Sequence, residues 1–107
     1  MKVIWQTGAE KARVQIADYI LRRFGYKYKE KFLQEVRQTT KMLKQHPNIG
    51  SIDPLFADRQ KTYRSVIIEG LSKMVYCIED DAIHIAAFWD CRQEPENQIT
   101  QISEKTK

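Results

Sequence analysis

The chain has few of the residues from which metal sites, disulfide frameworks and membrane spans are built. Its 107 residues include two cysteines and two histidines, and these residues lack the spacing of a metal-binding motif. No apolar run is long enough to cross a bilayer, and the N-terminus lacks the apolar segment of a signal peptide. We therefore expect a cytoplasmic protein without a metal or cofactor, in which Cys77 and Cys91 are reduced thiols.

Positive charge is concentrated in one part of the chain. The formal net charge is +4, but residues 22–44 alone hold eight cations and two carboxylates. Such a segment suits nucleic acid, an acidic protein surface or a partner protein, or it is simply a solvated helix face. The candidate binding residues that we select from it are Arg22, Arg23, Lys41 and Lys44.

Apolar residues at spacings of three and four predict two consecutive helices. The first apolar stripe covers residues 9–24 and the second covers residues 28–43. Gly25 is expected to end the first helix as a left-handed cap. The second helix should stop at His46, because Pro47 disfavours helical geometry in the residue before it. The short connection predicts an antiparallel hairpin.

Three runs of β-branched and aromatic residues after Tyr63 predict an antiparallel meander. Residues 3–6 are predicted to form a further short strand. In the last run, alternation places Ile83, Ile85 and Trp89 on one face and Phe88 on the other. Both faces of this run are apolar, so it is expected to be a central strand.

These elements predict a two-layer α+β domain over residues 1–95, in the order β-α-α-β-β-β. A helical hairpin has to bury its apolar stripe, and the sheet is the surface available for it. We expect an antiparallel helical hairpin packed on one face of a small, mostly antiparallel, four-stranded sheet. The other face should be an open cationic surface for a binding partner. Residues 96–107 are polar apart from Ile99 and Ile102 and are interpreted as a tail.

Several short motifs occur in a specific order between residues 3 and 95. They include Phe24-Gly25, the turn His46-Pro47-Asn48-Ile49-Gly50, Tyr63-Arg64-Ser65 and the closing Trp89-Asp90-x-Arg92-Gln93-x-Pro95. With this order and spacing, the chain resembles the RelE/ParE family of toxins from bacterial type II toxin–antitoxin systems. The resemblance implies a partner antitoxin and one of two activities, because the fold alone does not determine function. RelE-like members cleave messenger RNA on the ribosome, whereas ParE-like members poison DNA gyrase.

For a nuclease, the resemblance implies catalytic cations at Arg64, Lys73 and Arg92. Metal-free RNA cleavage needs cations to stabilise the developing negative charge, together with an acid and a base. Lys73 stands where nuclease members carry an arginine. The lysine ammonium is a point charge, and it does not replace the planar guanidinium of arginine in contacts with phosphate. Arg59 and Lys61 resemble a basic pair that precedes this strand in some nucleases. Arg64 and Arg92 equally suit structural ion pairs.

Two observations favour the ParE-like activity. No clear catalytic acid or base lies near the strand ends, since His84 and Tyr76 are both interpreted as structural residues. The two predicted helices are also longer than those of ribosome-dependent nucleases. We therefore expect a gyrase poison, with a ribosome-dependent ribonuclease and a non-toxic partner-binding member as alternatives. The sequence leaves the oligomeric state undecided between a homodimer and a heterotetramer with the antitoxin.

Overall fold

A computed structural model describes residues 1–91, so Arg92 and the predicted tail at 96–107 lie outside the described residues. The elements in chain order are β1 (Lys2–Trp5), α1 (Thr7–Phe24), α2 (Tyr26–Gln45), β2 (Ser51–Ile52), a 3-10 turn (Pro54–Phe56), β3 (Arg64–Ile68), β4 (Ser72–Glu79) and β5 (Ala82–Asp90). The strands form one sheet in the order β1-β5-β4-β3-β2. Only the β1–β5 pair is parallel.

The predicted fold class is confirmed, with two helices packed on a mostly antiparallel sheet. Gly25 separates the helices with a φ of 103°, a backbone conformation that favours glycine. Its N–H donates to the carbonyls at the end of α1, and α2 ends at Gln45 as Pro47 predicts. Neither helix of the described chain is long and apolar enough to span a membrane. The side chains that α1 buries are Ala9, Ala12, Ile16, Ala17 and Ile20.

The sheet has five strands rather than the four predicted. The additional strand β2 has two residues, and it pairs with the start of β3 at the sheet edge. β5 lies between β1 and β4, which confirms its prediction as a central strand.

The predicted alternation along β5 is interrupted by a bulge at Ala86. Ile85 and Ala87 have partners on β4, whereas Ala86 between them has none. The extra residue returns Phe88 to the helix side, where its ring packs edge-on against Phe32 at 5.9 Å. The prediction that Phe88 faces away from Ile85 is therefore wrong.

The sheet face away from the helices is partly covered by residues 53–63. Asp53 begins the 3-10 turn by accepting a hydrogen bond from the Leu55 N–H at 3.0 Å. The turn directs Phe56 back onto the sheet beside Tyr63, with ring centroids 5.7 Å apart. These two rings close a second apolar cluster with Val75, Cys77, Ala86 and Ala87. The expectation of an open cationic face is wrong for this part of the sheet.

Candidate functional site

Arg64 and Lys73, the two described members of the predicted catalytic set, lie on opposite faces of the sheet. In the uninterrupted β3–β4 register, Arg64 pairs with Tyr76 and Lys73 pairs with Ile67. Because successive side chains of a strand alternate between faces, Arg64 lies on the helix side and Lys73 on the far side. Arg92, the third member, is outside the described residues. The sheet geometry does not bring Arg64 and Lys73 together.

Arg64 binds the turn that follows α2. Its Nη1 donates to the Gly50 carbonyl at 2.8 Å. The hydroxyl of Tyr76 donates to the Pro47 carbonyl at 2.7 Å and accepts from the Gly50 N–H at 2.9 Å. Burial raises the pKa of Tyr76, which the Gly50 hydrogen bond and the Arg64 charge oppose. Arg64 therefore has a structural partner, but this partner is a backbone carbonyl rather than the carboxylate considered from the sequence.

Lys73 forms an ion pair on the far face of the sheet. Its Nζ lies 2.7 Å from Oδ2 of Asp53, whose side chain is 3% exposed. The other oxygen of Asp53 accepts the Leu55 N–H, so the carboxylate holds the 3-10 turn and the strand together. Removing one partner of a buried pair leaves an uncompensated charge, and we infer that Lys73 is held in this structural role.

Residues Arg59 and Lys61 belong to the segment that covers the far face. The Arg59 guanidinium lies over the Phe56 ring, 5.7 Å from its centroid. The Lys61 Nζ lies 2.9 Å from the Glu79 carboxylate in an exposed ion pair. Both side chains thus contact the protein's own surface, and they lie away from the helical hairpin.

The four candidate cations of the helices occupy two separate places. Arg22 pairs with Asp18 at 3.0 Å, and Arg23 lies over the Tyr19 ring near the closed end of the hairpin. Lys41 and Lys44 are exposed near the C-terminus of α2. At 1.5 Å of rise per residue, the two pairs are roughly 20–25 Å apart along the hairpin. They do not form a single patch.

An apolar groove of about 460 Å³ opens between the closed end of the hairpin, the β3–β4 turn and the end of β5. Phe24 and Tyr28 form its helical wall, with ring centroids 6.2 Å apart. They are 50% and 58% exposed, so the prediction that both belong to the core stripes is wrong. Leu71 forms the opposite wall and is 52% exposed. The floor consists of Ile20, Phe32 and Ile68.

Charged side chains stand at the rim of this groove. Glu35 of α2 and Glu69 of the β3–β4 turn both line it, together with Lys31. Desolvation raises the pKa of Glu35, and the negative charge of Glu69 raises it further. The Lys31 ammonium opposes both effects from 3.8 Å. Lys31 and Glu35 are an i,i+4 pair on α2, but no feature of the sequence connected them with Glu69, which joins them through the packing of α2 on the sheet.

The family comparison agrees with this architecture and covers most of the chain. Residues 3–95 match the family model described as the ParE toxin of the type II toxin–antitoxin system, parDE. The chain belongs to the ParE toxin family. The predicted resemblance to RelE/ParE toxins is thereby confirmed.

A solved structure shares the fold of this ParE-family chain. It is described as the chromosomal ParDE TA system from P. aeruginosa, and it superposes with a TM-score of 0.69 at 20% sequence identity. The alignment covers 84% of this chain and 95% of the other. No curated protein matches the sequence.

Glu35→Gln is expected to stabilise this ParE-family fold slightly at pH 7. The raised pKa means that ionised Glu35 is less favourable in the folded chain than in the unfolded chain. The groups that face it at the groove are Lys31, Glu69 and Asp90. We expect the melting temperature to rise by about 1–2 °C, since the site is close to solvent.

The gain should disappear as the pH falls below the ordinary glutamate pKa of 4.5, because Glu35 is then protonated in both states. Thermal unfolding at pH 7 and pH 4 measures both effects. Glu30→Gln, an exposed site on the same helix, is the matched control. A lower melting temperature for Glu35→Gln at pH 7 would show that the Lys31 pair outweighs desolvation.

Proposed function

We propose that this ParE-family chain is the toxin of a type II toxin–antitoxin module, that it acts in the cytoplasm, and that it inhibits growth by binding DNA gyrase. The family match over residues 3–95 supports the toxin assignment. The choice of a binding toxin over a nuclease rests on the arrangement of the cations on the sheet.

The observation that carries this choice is the placement of Arg64 and Lys73 on opposite faces. Metal-free RNA cleavage requires cations and proton-transfer groups to converge on one phosphate, within hydrogen-bond reach. Arg64 is bound to the Gly50 carbonyl and Lys73 to the Asp53 carboxylate. Both cations would have to leave these partners, and Lys73 would also have to reach across the sheet.

We further propose that the cognate antitoxin covers the groove at the closed end of the hairpin. The walls expose two aromatic rings and Leu71 above a buried apolar floor. An amphipathic helix laid in such a groove buries its apolar face against these side chains. Occupation of the groove would neutralise the toxin by covering this end of the molecule.

Inducing the protein in bacteria is expected to stop DNA synthesis before protein synthesis and to leave messenger RNA intact. Pulse labelling of both processes, with primer extension on abundant transcripts, measures this. Purified protein should also cause gyrase to accumulate cleaved plasmid DNA, because a bound poison traps the enzyme with its DNA cut. Co-expression of a short acidic open reading frame from beside the gene should restore growth.

The alternatives give different results in the same experiment. Transcript cleavage on the ribosome that is abolished by Arg64→Ala would favour a nuclease and overturn the proposal. Arg64→Lys is the matched variant, since it keeps the charge without the planar fork. Harmless expression without any antitoxin would identify a non-toxic, partner-binding member of the family.

A further inference from the structure

The rim of the groove is more acidic than the helices on which it lies. Among the described residues that line it, the carboxylates of Glu35, Glu69 and the buried Asp90 stand against the single ammonium of Lys31, in a chain of net charge +4. Glu69 lies in the tight β3–β4 turn with a φ of 53°, and Glu35 projects from α2 on the other side of the groove. Any segment that enters the groove therefore passes between two negative charges held by different elements.

Lys31 neutralises this pair of carboxylates only in part. Its Nζ is 3.8 Å from Glu35, a long distance for an ion pair, and its side chain is 68% exposed. The Glu35 side chain is only 19% exposed, so its charge is screened by solvent less than that of a free surface residue. A guest cation would lie between two anions and would displace only a loosely held ammonium.

We propose that Glu35 and Glu69 determine which segment the groove accepts: an amphipathic partner helix whose apolar face is flanked by a lysine or arginine placed between the two carboxylates. The proposal deepens the function proposed above, in which an antitoxin segment occupies the groove. Apolar contact with Phe24, Tyr28 and Leu71 supplies most of the affinity. The basic residue supplies register and selectivity, because charge complementarity suppresses partners of the wrong sign.

We expect arginine rather than lysine at this position. The planar guanidinium presents several N–H donors in a fixed fork and can bond two carboxylates at once. A lysine ammonium can also lie between them but directs its donors less specifically. A segment with an acidic residue at this position would meet two like charges and would be rejected.

Selection of random peptides against the full-length protein tests this chemistry without requiring the natural partner. The library would display peptides of about 18 residues, roughly five turns of helix. Groove binders are defined as peptides that bind the native protein but not the Leu71→Asp variant. We expect them to carry arginine or lysine at a constant spacing from their apolar anchors. A parallel selection against the Glu35→Gln, Glu69→Gln double variant should lose this enrichment.

The best selected peptide then allows a quantitative comparison by titration calorimetry. Each of Glu35→Gln and Glu69→Gln should weaken its binding about threefold to tenfold at low salt, as for partly buried ion pairs. The affinity of the double variant should fall by less than the product of the two single fold-changes, because both carboxylates contact one cation. Glu30→Gln, an exposed glutamate of α2 that does not line the groove, should leave binding within about twofold.

Four outcomes would overturn the proposal. Groove binders could lack a basic residue, or their affinity could be unchanged in both glutamine variants. Binders could appear only after Ile99→Asp and Ile102→Asp, which would show that the chain's own C-terminal segment fills the groove. Self-association that Leu71→Asp abolishes would identify a second copy as the occupant. None of these results depends on growth inhibition, so this inference and the proposed toxin activity can fail separately.

Discussion

Gly50→Ala is expected to lower the free energy of unfolding by about 3 kcal/mol, from steric overlap and lost hydrogen bonds. A Cβ at this position would lie 2.7 Å from the Tyr76 hydroxyl and 2.9 Å from the Ser65 carbonyl oxygen. Tyr76 is fully buried and bonds both ends of the turn, so it cannot move aside without losing its partners. For a domain of this size the melting temperature should fall by about 10 °C or more.

A double-mutant cycle identifies the cause of this destabilisation. Tyr76→Phe alone removes two hydrogen bonds and should cost about 1–2 kcal/mol. In the double variant the closest contact is absent, so its destabilisation should be smaller than the sum of the two single effects. Gly70→Asn is the control, since a Cβ there meets nothing within 4 Å and asparagine tolerates its φ of 71°. A Gly50→Ala protein that melts within about 2 °C of the native one would contradict the described packing of the turn.

The same turn explains why the role of Arg64 could not be predicted from the sequence. The motif Tyr63-Arg64-Ser65 indicates a basic residue on a strand, and strand periodicity gives its face once the register is known. Neither the motif nor the periodicity indicates that Arg64 donates a hydrogen bond to the Gly50 carbonyl. The ion pair of Asp53 and Lys73 could not be predicted either, because their 2.7 Å contact depends on how the segment 53–63 folds over the sheet.

The overall fold could be predicted because its signals are local and repeated. The two helices have apolar residues at regular spacings, and Gly25 and Pro47 mark where each helix ends. The meander has β-branched runs between turn residues. Two features have no such signal. A strand of two residues such as β2 is too short for any periodicity, and the bulge at Ala86 is visible only through the partner strand.

The groove residues were present in the sequence but were given the wrong role. Phe24 and Tyr28 continue the apolar stripes of α1 and α2, and the same periodicity would place them in the core. The stripes extend past the part of the hairpin that the sheet covers, so these two rings remain exposed. Periodicity identifies which residues share a helix face, whereas the extent of the sheet decides how many of them are buried.

Leu71→Asp is expected to weaken antitoxin binding by about 2–4 kcal/mol, or roughly 30-fold to 1,000-fold in Kd. The leucine side chain stands opposite Phe24 and Tyr28 as one wall of the groove. An aspartate there removes apolar contact area and places a carboxylate against the partner's apolar face.

Titration of the purified variant with the cognate antitoxin measures this change. Val14→Asp is the matched control, because Val14 is similarly exposed at 56% and lines a separate groove between α1 and α2. It should leave the Kd within about twofold. Thermal unfolding of both variants verifies that they are folded. Equal affinities for the two variants would place the antitoxin elsewhere and would remove the groove from the binding surface.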